Sequence, residues 1–200
     1  MTEFKQVIKD RRSIYALGNK SEHSIEEIVS SIRETQKDVP TAFNSQTSRL
    51  VILNGEANTK FWDLILEVQK NVLDQGTWDF MSPIMMGAKN GIGTVLFFED
   101  RDAVATMPTV GARTEAYKQN NSANSQFATW LALTEMNLGG SLQHFNVGYE
   151  QGFDKAVREM FNLPDSFELI AQMPFGTPLS VTETKAQHLP LTIRRLVFSK

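Results

Sequence analysis

Three short apolar runs, RLVILNG (residues 49–55), TVLFFED (94–100) and SFELIAQMPFG (166–176), set the limits on what this chain can fold into. Each is short, rich in branched or aromatic residues and bounded by turn formers, as strands are. The material between them is uneven. One long helical pattern separates the first two runs, and a polar stretch with two helical patterns separates the second from the third. A doubly wound parallel sheet needs regular strand–helix alternation, and this order lacks it. The expectation is a single α+β domain over residues 1–200, a few strands wrapped by helices, with no repeat or linker.

The helical patterns carry their own signals. Phe4, Val7 and Ile8 are spaced for one helical face near the N-terminus. Ser24 stands three residues before Glu27, a capping box that opens SIEEIVSSIRET. Asn58 is placed to cap a long helix with Phe61, Leu64, Ile65, Val68 and Val72 on one side. The stretch from Gly76 to Gly91 reads as a loop, and its Trp78, Phe80, Met81, Met85 and Met86 need cover. SANSQFATWLALTEMNLGG reads as the most uniformly apolar helix, with Ala123, Phe127, Trp130 and Leu131 suggesting burial on most sides. The tail from Thr182 has no helical stripe and reads as an extended arm.

Composition excludes several functions. The formal net charge of −3 argues against a general nucleic-acid binder. Basic residues nevertheless gather near the start and again at the end, an arrangement that suits a small anion. With no cysteine there is no disulfide, thiolate metal site or thiol nucleophile. His23, His144 and His188 lie far apart, and Glu99-Asp100-Arg101-Asp102 reads as a solvated turn rather than a metal site. No apolar stretch is long enough for a signal peptide or a membrane span, so a cytoplasmic location is expected. Dinucleotide and P-loop fingerprints are missing, and Gly87 to Gly93 reads as a turn feeding the second strand.

Four segments remain as candidate binding elements, three of them with a plainer reading beside them. Arg11-Arg12-Ser13 offers guanidinium forks and a hydroxyl to phosphate oxygens. It would equally serve as a solvated helix end complementing the helix dipole. Continued helix would set Arg11 and Arg12 about 100° apart, too far to hold the same group. Arg194-Arg195 forms a second basic pair in the extended arm. The loop from Pro40 to Gln46 carries Asn44 and Gln46, whose amides suit a ring edge of alternating donors and acceptors, or simply an ordinary polar turn. Gly139-Gly140-Ser141-Leu142-Gln143-His144 follows a helix, where small residues allow either close approach to a flat ligand or a helix C-cap.

In their order and spacing, RRSI, PTAFNSQTSRLVIL, NSANSQFATWLALTEMNLGGSLQHFN, QMPFGTP and the basic arm resemble the nitroreductase-like flavoprotein family across nearly the whole chain. RRSIYALG is similar to its compact branch of copper-inducible bacterial enzymes and their fungal relatives. The resemblance implies an α+β fold with a mostly antiparallel central sheet, in an intertwined homodimer with exchanged C-terminal arms and FMN at the interface. It implies NADH or NADPH as co-substrate and a nitroaromatic or quinone as acceptor, with the redox chemistry carried by the flavin rather than by a side-chain acid or base. The alternative it leaves open is an FMN-binding regulatory or stress-adaptor protein with incidental turnover. By position, Arg11, Arg12 and Ser13 resemble phosphate, ribityl and ring-edge contacts. Asn44, with Gln46 in the same loop, resembles the residue beside the ring, and Gln69 an amide reaching its pyrimidine side. Ser141, Leu142, Gln143 and His144 match the segment whose backbone lies over the flavin. The turn lacks the acidic residue and glycine of the better-known branch. Arg194 or Arg195 resembles the arm's phosphate ligand.

Overall fold

The most apolar run, β3 (Gly93–Asp100), occupies an inner position because both of its faces are apolar. Successive side chains of a strand point to opposite faces. Leu96 and Phe98 join one buried cluster with Phe61, Trp62, Ile65 and Met85, while Val95 and Phe97 join another with Ile28, Ile32, Leu133 and Phe175. A strand that feeds two cores must be covered by helices on both sides.

The computed structural model describes residues 3–180 and Pro190. In chain order it contains α1 (Glu3–Asp10), β1 (Leu17–Gly18), α2 (Ile25–Lys37), a single helical turn at Ala42–Asn44, β2 (Ser48–Asn54), α3 (Gly55–Val72) and α4 (Gln75–Lys89). Then come β3, α5 (Arg101–Ala105), α6 (Ala112–Glu135), β4 (Gly139–Gly140), α7 (Lys155–Met160) and β5 (Phe167–Pro178). The sheet order is β1-β5-β3-β2, all antiparallel, and β4 pairs with β5. This is the α+β, antiparallel, helix-wrapped architecture expected. No described helix is long and apolar enough to cross a membrane. Arg194, Arg195, His188 and the proposed arm lie outside the described residues.

The capping box of α2 is present, with Ser24 Oγ accepting from the Glu27 N–H and the Glu27 carboxylate accepting from the Ser24 N–H. Other local expectations give way to packing. The 76–91 stretch is mostly helix. Asp74 caps α4 by accepting from the Thr77 N–H, and Met85 and Ala88 are buried in the core shared with α3. That burial outweighs Pro83 in the helix interior, which costs about 3 kcal/mol. Asn54, not Asn58, is the N-cap of α3. Asn58 is buried within the helix, where its amide donates to Lys89 O and its carbonyl accepts from the Thr94 hydroxyl. Over most of its length helix α6 is turned opposite to the reading from its apolar residues, although near its end Ala132 and Leu133 are buried and Trp130 packs on the core. Lys118, Asn121, Ser122, Ser125, Gln126 and Thr129 are buried, while Ala123 and Phe127 are exposed.

Gly87, near the end of α4, lets the segment after α1 cross the helix: a Cβ there would clash with the Tyr15 carbonyl oxygen. Alanine favours helix over glycine by about 1 kcal/mol. Forcing a methyl into packed backbone costs about 1–3 kcal/mol. Gly87→Ala is therefore expected to lower stability despite its better propensity, as a reduced midpoint in chemical denaturation. An unchanged or raised midpoint would show that the crossing is loose.

Candidate functional site

The helix ends at Asp10, so Arg11 and Arg12 do not continue it and the separation of 100° expected for helix does not apply. Their surroundings separate them instead. Arg12 Nη1 donates to the backbone oxygens of Lys9 and Arg11, which makes it a cap on the end of α1. Arg11 lies half-buried with its guanidinium carbon 4.3 Å from the centre of the Trp130 ring. Burial, reinforced by the adjacent Arg12 charge, lowers its pKa from the ordinary arginine value. Among the described residues no carboxylate pairs with it. Two residues on, Ser13 bridges Gly140 in parallel register, and the Ile14 N–H donates to Gly140 O at 3.0 Å. The Gly139–Gly140 pair makes room for this chain's own atoms. A Cβ on Gly139 would meet Ile14 at 2.9 Å, and one on Gly140 would meet the Pro174 carbonyl at 3.0 Å.

Beyond Gly140 the chain runs alongside β5. Gln143 exchanges both backbone bonds with Gln172, at 2.7 and 2.9 Å. The Gln172 side chain, fully buried, continues the pairing: its Oε1 accepts from the Phe145 N–H and its Nε2 donates to Phe145 O. Alternation along an extended segment turns the Leu142 and His144 amides away from β5. Ser141 is buried and its hydroxyl accepts from Gln143 Nε2, Leu142 packs on the core beneath α6, and the His144 side chain is exposed. Nearby atoms partly strip water from the His144 imidazole and lower its pKa. Gln69, on α3, donates to Asn146 Oδ1 at 2.7 Å and so ties α3 to the end of this segment.

The loop between α2 and β2 forms a second group. Phe43, Asn44 and Gln46 all have left-handed backbone, with φ of 57°, 52° and 48°. Asparagine tolerates this, but for Phe43 and Gln46 it costs about 1–2 kcal/mol each. The loop is closed by the Asn44 N–H to Thr41 O, the Ser45 N–H to Ala42 O and the Gln46 N–H to Thr41 Oγ1. Asn44, Gln46 and Arg49 line a cleft of about 290 Å³ together with Gln36 and Lys37. None of the candidate residues lines the larger cleft of about 550 Å³ beside Lys20, His23 and Asn137. Among the described residues, no hydrogen bond joins the Arg11–Gly140–His144 group to this loop.

Under the loop lies a polar network that the sequence did not reveal. Glu99 is not part of a solvated turn. It is fully buried and accepts from the hydroxyls of Thr47 and Ser48. Asn121, on α6, donates to Thr47 Oγ1 and Ser45 Oγ and accepts from the Ala42 N–H. Lys118, equally buried, pairs with Glu168 at 2.7 Å and Glu115 at 2.6 Å. No group of three His, Asp or Glu able to hold a metal occurs among the described residues. The advance signals are Asn121 amid small polar residues on a helix, and Gln172 between the apolar Ala171 and Met173 of a strand.

Desolvation raises the Glu99 pKa, against the opposing pull of the Ser48 and Thr47 hydroxyls and Lys118. The folded state therefore holds this proton more tightly than the unfolded chain. The resulting stabilisation is complete below about pH 4.5, the ordinary glutamate value, and is lost as pH rises through the raised value. Glu99→Gln should remove this dependence, so its stability relative to the parent rises as pH increases from about 4.5 toward neutrality. Urea midpoints across that range check it, and parallel curves for the two proteins would contradict it.

The Nitroreductase family model matches residues 8–177. The HBN1 protein of Saccharomyces cerevisiae is 33% identical over 181 residues, spanning 88% of this chain and 88% of HBN1. Structures of the nitroreductase CinD from Lactococcus lactis, solved with chloramphenicol and with 4-nitrophenol, superpose with TM-scores of 0.84 and 0.82. They are 31% and 32% identical, and each match covers 98% of this chain and 100% of CinD. A Desulfovibrio desulfuricans protein solved with FMN shares the fold at 18% identity and a TM-score of 0.72, over 100% of this chain and 98% of that one.

Proposed function

The chain belongs to the nitroreductase family, an oxidoreductase family, and from that premise we propose that it is an FMN-dependent reductase of nitroaromatics or quinones using NADH or NADPH in a ping-pong cycle. The observation that carries the cofactor reading is the meeting of the Arg11–Ser13 segment with the 140–145 segment at the edge of β5. It joins the chain just after Arg11 to a short extended backbone whose Leu142 and His144 amides are turned away from β5 by the alternation of hydrogen bonds along a strand.

The donor set fits FMN. Arg11 is a cation whose charged form is disfavoured by burial and by Arg12, and a phosphate would relieve both effects. Ser13 and Gln69 add a hydroxyl and an amide, while the Leu142 and His144 N–H groups suit the central ring edge. Asn44 and Gln46, on the separate loop, suit the ring from a second side. Bound FMN would supply the hydride chemistry, and the protein would supply position, charge and exclusion of water. Support for FMN and for small aromatic acceptors comes from the FMN-bound structural relative and from the chloramphenicol and 4-nitrophenol complexes of CinD.

A homodimer is part of this proposal, with Arg194 or Arg195 of the arm completing the phosphate grip. Helix α1 buries none of its residues within the described chain, and Phe4 and Phe127 are exposed. Apolar surface of that kind on neighbouring helices suits a second copy. The partner's Asn44 loop would then face the Arg11 group and unite the two separate sets of candidates.

Two measurements test this function. Purified protein with FMN should oxidise NADH or NADPH over many turnovers with a quinone or nitroaromatic present. A flavin bleached once and never recycled would favour the regulatory FMN-binding protein instead. Arg11→Ala should weaken FMN binding by about 1.5–3 kcal/mol, the value of a charge-assisted hydrogen bond, or about tenfold to a hundredfold in Kd. Arg12→Ala should have the smaller effect, because its guanidinium is engaged at the helix end. Equal affinities for parent and Arg11→Ala would return Arg11 to a structural role.

A further inference from the structure

The strained loop at 41–47 needs something to hold it, and Asn121 is placed to do so. From α6 its side chain reaches both ends of the loop: Oδ1 accepts from the Ala42 N–H at 2.8 Å, and Nδ2 donates to Ser45 Oγ at 3.1 Å and Thr47 Oγ1 at 3.0 Å. The residue is 1% exposed, so water does not compete for these bonds. Between its anchor points lie the left-handed residues Phe43, Asn44 and Gln46. Backbone held in such conformations persists only where its surroundings over-determine it, and it concentrates where a ligand is gripped. Phe43 adds an edge contact to the Tyr117 ring on the same helix, with centroids 5.5 Å apart. The Asn44 and Gln46 side chains bond to each other at 3.2 Å and line the adjoining cleft.

We propose that Asn121 is a positioning residue: it fixes the left-handed 42–46 backbone so that the Asn44 and Gln46 amides are already oriented for the flavin ring. The proposal rests on the flavin reading above. Asn121 does not itself touch the ligand, and its effect passes through the loop. A flexible loop would have to be ordered at the moment of binding, whereas a clamped one is ordered beforehand, and preorganisation of this kind appears as affinity.

The comparison uses two buried asparagines. Asn58 is 2% exposed and, like Asn121, bonds to both a threonine hydroxyl and a backbone group, but it lies between α3, α4 and β3, away from the loop. Asn121→Ala and Asn58→Ala are compared with the parent by thermal melting, by amide exchange over residues 41–48 without ligand, and by FMN titration. Asn121→Ala is expected to speed loop exchange and weaken FMN binding by about tenfold or more, consistent with the loss of several buried hydrogen bonds. Asn58→Ala should lower the melting temperature while leaving both other readouts within about twofold of the parent, as independent sites do.

Should Asn121→Ala fail to fold, Asn121→Asp keeps an acceptor for Ala42 and loses the donors to Ser45 and Thr47. It is expected to loosen residues 45–47 and weaken FMN binding. Loop exchange unchanged in the Asn121 variants, or accelerated equally in Asn58→Ala, would overturn the proposal. So would a loosened loop with parental FMN affinity. If the parent itself took up no FMN, the flavin reading would fall and the positioning role with it, an outcome distinct from the others because it appears before any substitution.

Discussion

A single buried glutamine organises one half of the candidate site. Gln172 sits on β5 in the middle of the sheet, with no exposure to water, and its side-chain amide pairs with Phe145 as a backbone unit would. Its own backbone pairs with Gln143. Four hydrogen bonds thus attach a segment with no strand of its own to the most buried part of the fold. Leaving such an amide unpartnered would cost about 1–3 kcal/mol per group, so the segment and the glutamine enforce one another. Ser141, Leu142 and His144 take their places from this attachment, and Ser13 and Arg11 follow through the bridge to Gly140.

The other half depends on α6, which faces inward with its polar side. Asn121 and Lys118 are buried beside the loop and Glu99, and Ser125 bonds to Gln36 on α2. Ala123 and Phe127 of this helix are left toward solvent, while Ala132 and Leu133 near its end are buried. Each half is therefore fixed by buried polar groups as well as by apolar packing. Such networks specify geometry closely, since a displaced partner leaves a desolvated group behind. That suits the proposed task of holding a flat cofactor in register.

What the sequence made legible follows from period and local chemistry. The three apolar runs match β2, β3 and β5 to within a residue or two at each end, and Ser24 and Glu27 form their capping box, because these signals are local. Gly76, Pro83 and Gly87 are helix breakers in isolation and point to a loop over 76–91, whereas the buried Met85 and Ala88 make it helix through contacts with α3. The α6 stripe differs for the converse reason. Its apolar residues point to an apolar inward face, but the partners of Asn121 and Ser125 lie dozens of residues away, and no local pattern encodes them. Of the site, the RRSI segment, the Asn44 loop and the Ser141–His144 turn were legible as candidates. The different engagements of Arg11 and Arg12, and the supporting roles of Gln172, Glu99 and Asn121, depend on tertiary neighbours.

In the proposed complex the backbone beside Gln172 presents its outward amides to the flavin. Residue-resolved amide exchange, measured with and without FMN, tests it most directly. The Gln143 and Phe145 amides, already bonded to Gln172, should be protected in both states, while those of Leu142 and His144 should become protected only when FMN is bound. Stoichiometric FMN uptake with no change at Leu142 and His144 would contradict the account and place the flavin elsewhere on the chain.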